Sequence, residues 1–447
     1  MISNLKEHNI NNIQAHKCVC MLDSNSHETA VNRRKFLKAT SAGSALAISG
    51  LAGCTSGGGG NSNSGKSGKL KEVTVGVLDP QSGPYSFLGK AEIQGAKLAA
   101  KDLEKELGIT VNIKVADTET DPNTGVQRLQ RLVSKEDIQL AQGGVSSSVA
   151  VKMGQWASQN GLAFIASGSH SDATTGSSCG KYMFRTPSSN TMLAQTAGSA
   201  FADYADSWYL MYADYTWGKT GRDAMKKVLK DSGAKVVGSV ASPLGAGDYT
   251  QQLNEVASSN AKAAAIIFAG TDQRTIMKQF VNKGMHNNMK MGGPLLEDEV
   301  FWGVGKDVAQ HAGVWATVWS PSVKQGKKSK KFMERIKKEY NSTPYSRHYL
   351  GYTSLDQMVR AANRAGKTDA EAVRKELEDH KYTKQGLLDG NQYWRICDHQ
   401  NIKPTYAVKA LPKEKMKDKP YRVWFEPFSK SKGDDVARSC EQTGCGF

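Results

Sequence analysis

After Cys54 the chain has no apolar stretch long enough to cross a bilayer, which takes about 20 residues. A helical channel or pump is therefore excluded for that part. There is no Gly-x-Ser-x-Gly elbow. Ser147 and His170 are conceivable as nucleophile and base, but the sequence shows no orienting acid or oxyanion hole to complete them. The expectation is a protein that is not an enzyme and has no catalytic residues. Cysteine is scarce, at seven residues in 447. Cys440 and Cys445 are spaced more loosely than paired zinc ligands, and no His follows them, so no metal and no cofactor are expected. Acid is short relative to base: 43 Asp and Glu face 59 Lys and Arg, a formal charge of +16. The excess gathers at 324–338 and 403–419. No aromatic residue interleaves with the basic run at 324–331, as a single-strand groove would require, so nucleic acid is not an expected partner. The runs read as a solvated face or one drawn to an anionic membrane surface.

What is present begins with Arg33-Arg34-Lys35-Phe36-Leu37-Lys38, a mild apolar run to Ile48, and Leu51-Ala52-Gly53-Cys54. Positive charge ahead of a short apolar segment has the form of an export signal. The twin arginine resembles the signal of the twin-arginine route. Leu-Ala-Gly-Cys resembles a lipobox, in which the cysteine carries the lipid. The expectation is a removed segment at 1–53, a lipid on Cys54, and a Gly/Ser-rich tether over 54–69. The mature chain would then work outside the cell membrane, anchored to its outer face. In that oxidising setting Cys179, Cys397, Cys440 and Cys445 are candidates for two disulfides, with three connectivities open.

From Glu72 the pattern alternates. Val73, Val75 and Val77 mark a strand, 91–107 has helical spacing, and 111–115 is a strand again. Helices over 125–136 and 150–160 alternate with strands over 138–143 and 162–165. The rhythm breaks at Phe184-Arg185-Thr186-Pro187 and restarts with a helix over 190–204 and a strand over 208–212. It continues through helices at 220–232, 249–259 and 273–283. Helices then follow over 328–340, 351–365 and 370–380, and strand-like segments over 386–408 and 421–428. The fold class is α/β: two Rossmann-like lobes with parallel sheets.

These residues resemble the type I solute-binding proteins of branched-chain amino acid and amide ABC importers. The carriers are Val75 to Pro84, Leu88-Gly89, Gln94-Gly95-Ala96, Gly143 to Ser148, Phe184-Arg185-Thr186 and Asp214 to Gly218. Cys397-Asp398-His399-Gln400 resembles a motif of one branch. The resemblance implies lobes joined by three crossings and closing over a small-molecule ligand. Lobe 1 would take 70–187 and 319–390, lobe 2 would take 188–318 and 391–430, and a tail with a Cys pair would follow at 431–447. It also implies delivery to membrane permease subunits, or signalling through a membrane transducer as the alternative. A monomer is expected.

The ligand residues the resemblance implies are Ser146, Ser147 and Ser148 at a helix start, and Gly168, Ser169 and His170 after the next strand. From the second lobe come Tyr215 and Trp217, which offer an aromatic wall, and Thr271 and Asp272. Relatives that bind amino acids often carry an acid after Gly-Pro. Here Gly293-Pro294 leads to Leu295-Leu296, and acids come only at Glu297, Asp298 and Glu299. A buried ammonium needs a partner. Either Glu297, a neighbour or Asp272 serves, or the ligand is not an α-amino acid. Ala213 to Thr220 approximates a phosphate loop, but the strict pattern wants Gly at 213 and no aromatics inside. Nucleotide binding is not expected.

Overall fold

The computed structural model describes residues 69–323 and 326–447. The segment expected as an export signal, Cys54 and all but the last residue of the expected tether lie outside these residues. Two sheets organise the chain. The first is parallel throughout, in the order β2-β1-β3-β4-β5. Its strands are β1 (Glu72–Asp79), β2 (Thr110–Asp117), β3 (Leu140–Gly143), β4 (Ala163–Ala166) and β5 (Met183–Arg185). Between them run α1 (Ser86–Leu107), α2 (Pro122–Lys135) and α3 (Ser147–Gln159). α2 starts cleanly because Asp121 caps it, accepting from the Thr124 N–H, with Pro122 at the first helical position.

The chain then crosses to α4 (Asn190–Tyr204) and the second sheet. That sheet holds β6 (Ser207–Ala213), β7 (Lys235–Ser242), β8 (Ala263–Ile267), β9 (Lys290–Gly292) and β10 (Val314–Thr317). Its helices are α5 (Thr216–Asp231), α6 (Thr250–Ser258), α7 (Gly270–Asn282), α8 (Asp298–Trp302) and α9 (Lys306–Ala309). A second crossing leads through α10 (Lys327–Tyr340) to α11 (Ser346–Ala365) and α12 (Ala370–Leu377). α11 returns to the first sheet's side and packs along α1. The short hairpin of β11 (Tyr393–Trp394) and β12 (Asn401–Ile402) precedes a third crossing. β13 (Thr405–Ala410) and β14 (Phe425–Ser431) complete the second sheet. They are antiparallel, so this sheet is mixed where parallel strands were expected, in the order β14-β13-β10-β9-β8-β6-β7. β13, arriving from the far side of α10–α12, runs against β10, and β14 pairs back on β13.

Glycines set the contact between α1 and α11. A Cβ on Gly95 would lie 2.0 Å from the His348 carbonyl oxygen, and one on Gly351 would lie 2.0 Å from that of Glu92. Only glycine lets the two backbones touch, and this touch brings Glu92 and Arg347 together. The C-terminal tail carries α13 (Gly433–Val436) and α14 (Cys440–Thr443). Disulfides join Cys179 to Cys445 and Cys397 to Cys440, with Cα atoms 5.7 and 5.9 Å apart. The tail is thus tied both to the β4–β5 loop and to the β11–β12 hairpin. The exposed lysines of α10 lie beside the second basic run, with Lys337 Nζ donating to the Pro420 carbonyl.

Candidate functional site

The lobes meet at the C-terminal ends of both sheets, where α/β sheets place ligands. A cavity there is lined by Tyr85, Val145, Gly168, His170, Tyr215, Trp217, Ala269, Leu295 and Arg347. Its volume is about 10 Å³, which is about one water. The lobes are closed on each other around it.

Several polar contacts hold them, Ser171 Oγ to Thr220 Oγ1 and the Thr271 N–H to the Pro84 carbonyl among them, and three more stand out. Tyr85 Oη and Tyr215 Oη are 2.8 Å apart. Ser148 Oγ and Thr216 Oγ1 are 2.9 Å apart. The third is a buried triad. Arg347 Nη1 donates to Glu92 Oε1 at 2.8 Å and to the Gly168 carbonyl at 2.9 Å. Its Nε donates to Glu297 Oε1 at 2.8 Å, and its Nη2 lies 2.5 Å from the same oxygen. The three side chains are at most 2% exposed. Burial pulls the Arg347 guanidinium down, but the two carboxylates more than offset it and hold it above its usual value. Burial pushes the Glu92 carboxyl up, against the pull of Arg347. Two of its members come from helix starts, Arg347 in the first turn of α11 and Glu297 immediately before α8, while Glu92 lies a turn inside α1.

His170 Nδ1 lies 2.8 Å from the Ser188 carbonyl oxygen, and its Nε2 is buried without a partner. Burial, followed by the nearby Arg347 charge, holds its pKa well below 6.5, so the ring is neutral. Trp217 Nε1 is likewise buried without a partner. Such groups are costly unless something completes them.

Of the residues expected at the site, Gly168, His170, Tyr215 and Trp217 line the cavity. His170 is buried, which removes the alternative of a solvent-facing side chain. Ser146 begins α3 without a side-chain cap bond; Ser147 Oγ accepts from the Ser171 N–H at 3.3 Å; Ser148 serves the lobe contact. Ser169 Oγ turns to Thr174 Oγ1 at 2.6 Å. Thr271 is exposed, with its N–H donating to the Pro84 carbonyl at 3.2 Å. Asp272 is buried and accepts from the Gly245 N–H at 2.8 Å. Glu297 is engaged by Arg347 and Ser346. The sequence reading missed Tyr85, Glu92 and Arg347. Glu92 carried a signal: it is a charge within the apolar run Leu88, Ala91, Ile93 and Ala96.

The Cys397–Gln400 motif serves the crossings. Gln400 Oε1 accepts from the buried Arg185 Nε at 2.7 Å, and Gln400 Nε2 donates to the Pro187 carbonyl at 2.8 Å. His399 stacks on Phe184 with ring centres 3.9 Å apart. Among the described residues no group of three or more His, Cys, Asp or Glu side chains could hold a metal ion.

The model of the periplasmic binding protein family matches residues 72–415. The Leu/Ile/Val-binding protein homolog 3 of Brucella melitensis is 25% identical over 320 residues, covering 69% of this chain and 84% of that one. A periplasmic binding protein from Burkholderia mallei superposes with a TM-score of 0.77 at 24% identity, over 84% of this chain and 98% of its own. A solute-binding protein of an ABC transporter from R. palustris, in complex with benzoate, does so at 0.73 and 18%, over 84% and 100%. These relatives are binding proteins of transporters rather than enzymes, and the chain, an extracytoplasmic solute-binding protein by kinship, belongs to the periplasmic binding protein family.

Proposed function

We propose that this protein captures a small polar solute between its lobes and delivers it to the permease of an ABC importer. The carrying observation is the interlobe cavity, where two lining residues, His170 and Trp217, each keep a buried polar atom without a partner. A solute completes both, and the aromatic rings of Tyr85, Tyr215 and Trp217 supply apolar contact. Closure follows from contacts that exist only when both lobes touch the ligand. The lobes are divided at 187/188, at 318/319 and after the β11–β12 hairpin, whose Trp394 and Gln400 bond Arg185 of the first lobe; the chain works as a monomer, and lipid on Cys54 keeps it beside the permease after twin-arginine export.

A thermal-shift screen of amino acids, amides and organic acids tests the reading. A ligand at 100 times its Kd adds about 2.7 kcal/mol of stability. Ser147→Ala combined with Trp217→Ala should weaken that ligand's binding while the protein still folds; unchanged affinity would refute the site. Cys54→Ser should release the protein from membranes, and continued sedimentation with them would place the anchor elsewhere.

A further inference from the structure

Base is concentrated on one side of the molecule. Over 327–338 and 413–422 the chain carries twelve Lys and Arg against three Asp and Glu, more than half of its formal excess of +16. The first run lies in α10 and the second in the loop between β13 and β14. The fold brings the two together. Lys337 Nζ donates to the Pro420 carbonyl and lies 5.3 Å from the centre of the Tyr421 ring. α10 is also pinned to the first lobe, with Arg335 bonded to Asp102 and Glu339 to Lys101. The loop belongs to the second sheet. The basic face therefore spans both lobes.

What this face offers outward is lysine. Helical spacing puts Lys327, Lys331 and Lys338 on the outer stripe of α10, opposite the buried Ser329, Phe332 and Ile336. Lys415, Lys417 and Lys419 are exposed in the loop beside it. Among the described residues none of these six amino groups has a hydrogen bond or ion pair within the protein. Both arginines are turned inward: Arg335 holds Asp102 and Glu339, and Arg422 lies over the Trp302 ring at 5.8 Å. The neighbouring aromatics are engaged too, Tyr421 by Lys337 and Trp424 by a bond from its Nε1 to Asp418 at 3.0 Å. A specific phosphate pocket favours the planar fork of arginine, and a strand of bases needs free rings to stack on. Separate point charges on long stems, spread over a broad face, fit a partner whose charge is spread over a surface. Anionic lipid headgroups are such a partner.

The position of the face agrees. Asp102, where α10 is bonded, lies about 8 Å short of the end of α1 at Leu107. Lys71, just past the expected tether, accepts from the Thr110 N–H at 2.9 Å beyond that same end. A flexible tether over 54–69 spans about 20 Å on average, so a lipid at its far end keeps the face near the membrane.

We propose that α10 and the β13–β14 loop form a docking face for anionic lipid, which lays the anchored protein against its membrane on this side. A lipid chain and a basic patch hold stably together where each alone is weak. The orientation rests on the anchored reading above, and the affinity of the face for lipid does not.

Flotation of the purified Cys54→Ser protein with vesicles tests the face by itself. One set is phosphatidylcholine and the other mixes phosphatidylcholine with phosphatidylglycerol. In about 0.01 M salt, where screening extends about 30 Å, partition onto the anionic vesicles should be greater by about tenfold or more. Salt at about 1 M, which cuts that length to about 3 Å, should abolish the difference. Lys327→Gln, Lys331→Gln and Lys338→Gln combined should lower the anionic partition about tenfold with the melting temperature unchanged, and so should Lys415→Gln, Lys417→Gln and Lys419→Gln. Lys226→Gln, Lys230→Gln and Lys278→Gln, at exposed lysines of α5 and α7, should change it less than about twofold. Equal partition onto both vesicle types, or equal losses from the face and from the α5–α7 set, overturns the proposal. Tighter binding to a single-stranded oligonucleotide than to the anionic vesicles overturns it as well and assigns the face to nucleic acid. Each of these results leaves solute capture between the lobes untouched.

Discussion

Among the described residues two arginines are completely buried, and their surroundings are opposite in kind. Arg347, between the lobes, is held by two carboxylates. Arg185, at the end of β5 where the chain crosses, is held by neutral groups: Gln400 Oε1, Thr175 Oγ1 and the Ser171 carbonyl. Burial alone lowers a guanidinium, and it pushes Arg185 down to about 9. Glu297 and Glu92 reverse that effect at Arg347. Neutral acceptors fix a position without storing charge, as suits a joint whose two sides are further tied by disulfides to the tail. Opposed charges from both lobes make closure itself depend on the electrostatics of the cleft.

Removing each arginine should break the comparison open. Arg347→Met strands two buried carboxylates and should cost about 3–5 kcal/mol in denaturant unfolding. Arg185→Met strands only neutral acceptors, and its cost should be smaller, about 1–3 kcal/mol. Equal losses would mean that the carboxylates around Arg347 contribute nothing specific.

The same contrast recurs between two adjacent acids. Glu297 has Arg347; Asp298 has the Ser320 hydroxyl at 2.8 Å and no cation in contact. Burial accordingly pushes the Asp298 carboxyl up to about 8. Unfolded, it releases its proton near 3.8, so between those values the native state binds more protons than the unfolded chain. Stability from this group falls as pH rises across that window. Asp298→Asn should flatten the decline by about 1 kcal/mol per pH unit, read from unfolding curves at pH 5, 6 and 7. An unchanged slope would show that Asp298 ionises as an exposed acid does.

The lobe architecture was legible because alternating valines and apolar helix faces report burial directly. Helix starts were legible less well, and where they missed by more than a residue the helix began earlier than expected. α1 begins at Ser86 where apolar spacing placed it at 91, α5 at Thr216 against 220, and α11 at Ser346 against 351. These first turns face the cleft or the partner lobe, so they are built from Ser, Thr, aromatics and charge, and the apolar period is silent there. Arg347 was missed for that reason: periodicity counts an arginine as surface, and only its two partners, 255 and 50 residues away, make it interior. The segment over 386–404, expected as strand, forms only the short β11 and β12, because Cys397 is bonded to the tail and Gln400 turns inward to Arg185. Four thiols allowed three pairings, and the tail's path decides among them.

The mildest test of the cleft leaves its charges alone. Tyr85 and Tyr215 join the lobes through one hydroxyl pair at 2.8 Å, with the rings tilted at 6.5 Å between centres. Tyr85→Phe keeps the ring and removes one oxygen, so the loss should be a single neutral hydrogen bond, about 0.5–1.5 kcal/mol. Because that bond spans the lobes, the loss should fall on closure rather than on folding. Ligand affinity should drop about 2- to 10-fold, while the denaturation midpoint without ligand moves little. The triad predicts the reverse balance, since Arg347→Met damages the fold first. A Tyr85→Phe variant that unfolds early but binds normally would place the hydroxyl pair with Arg185, among the fixed ties of the scaffold, and leave the triad and the Ser148–Thr216 pair to clasp the lobes.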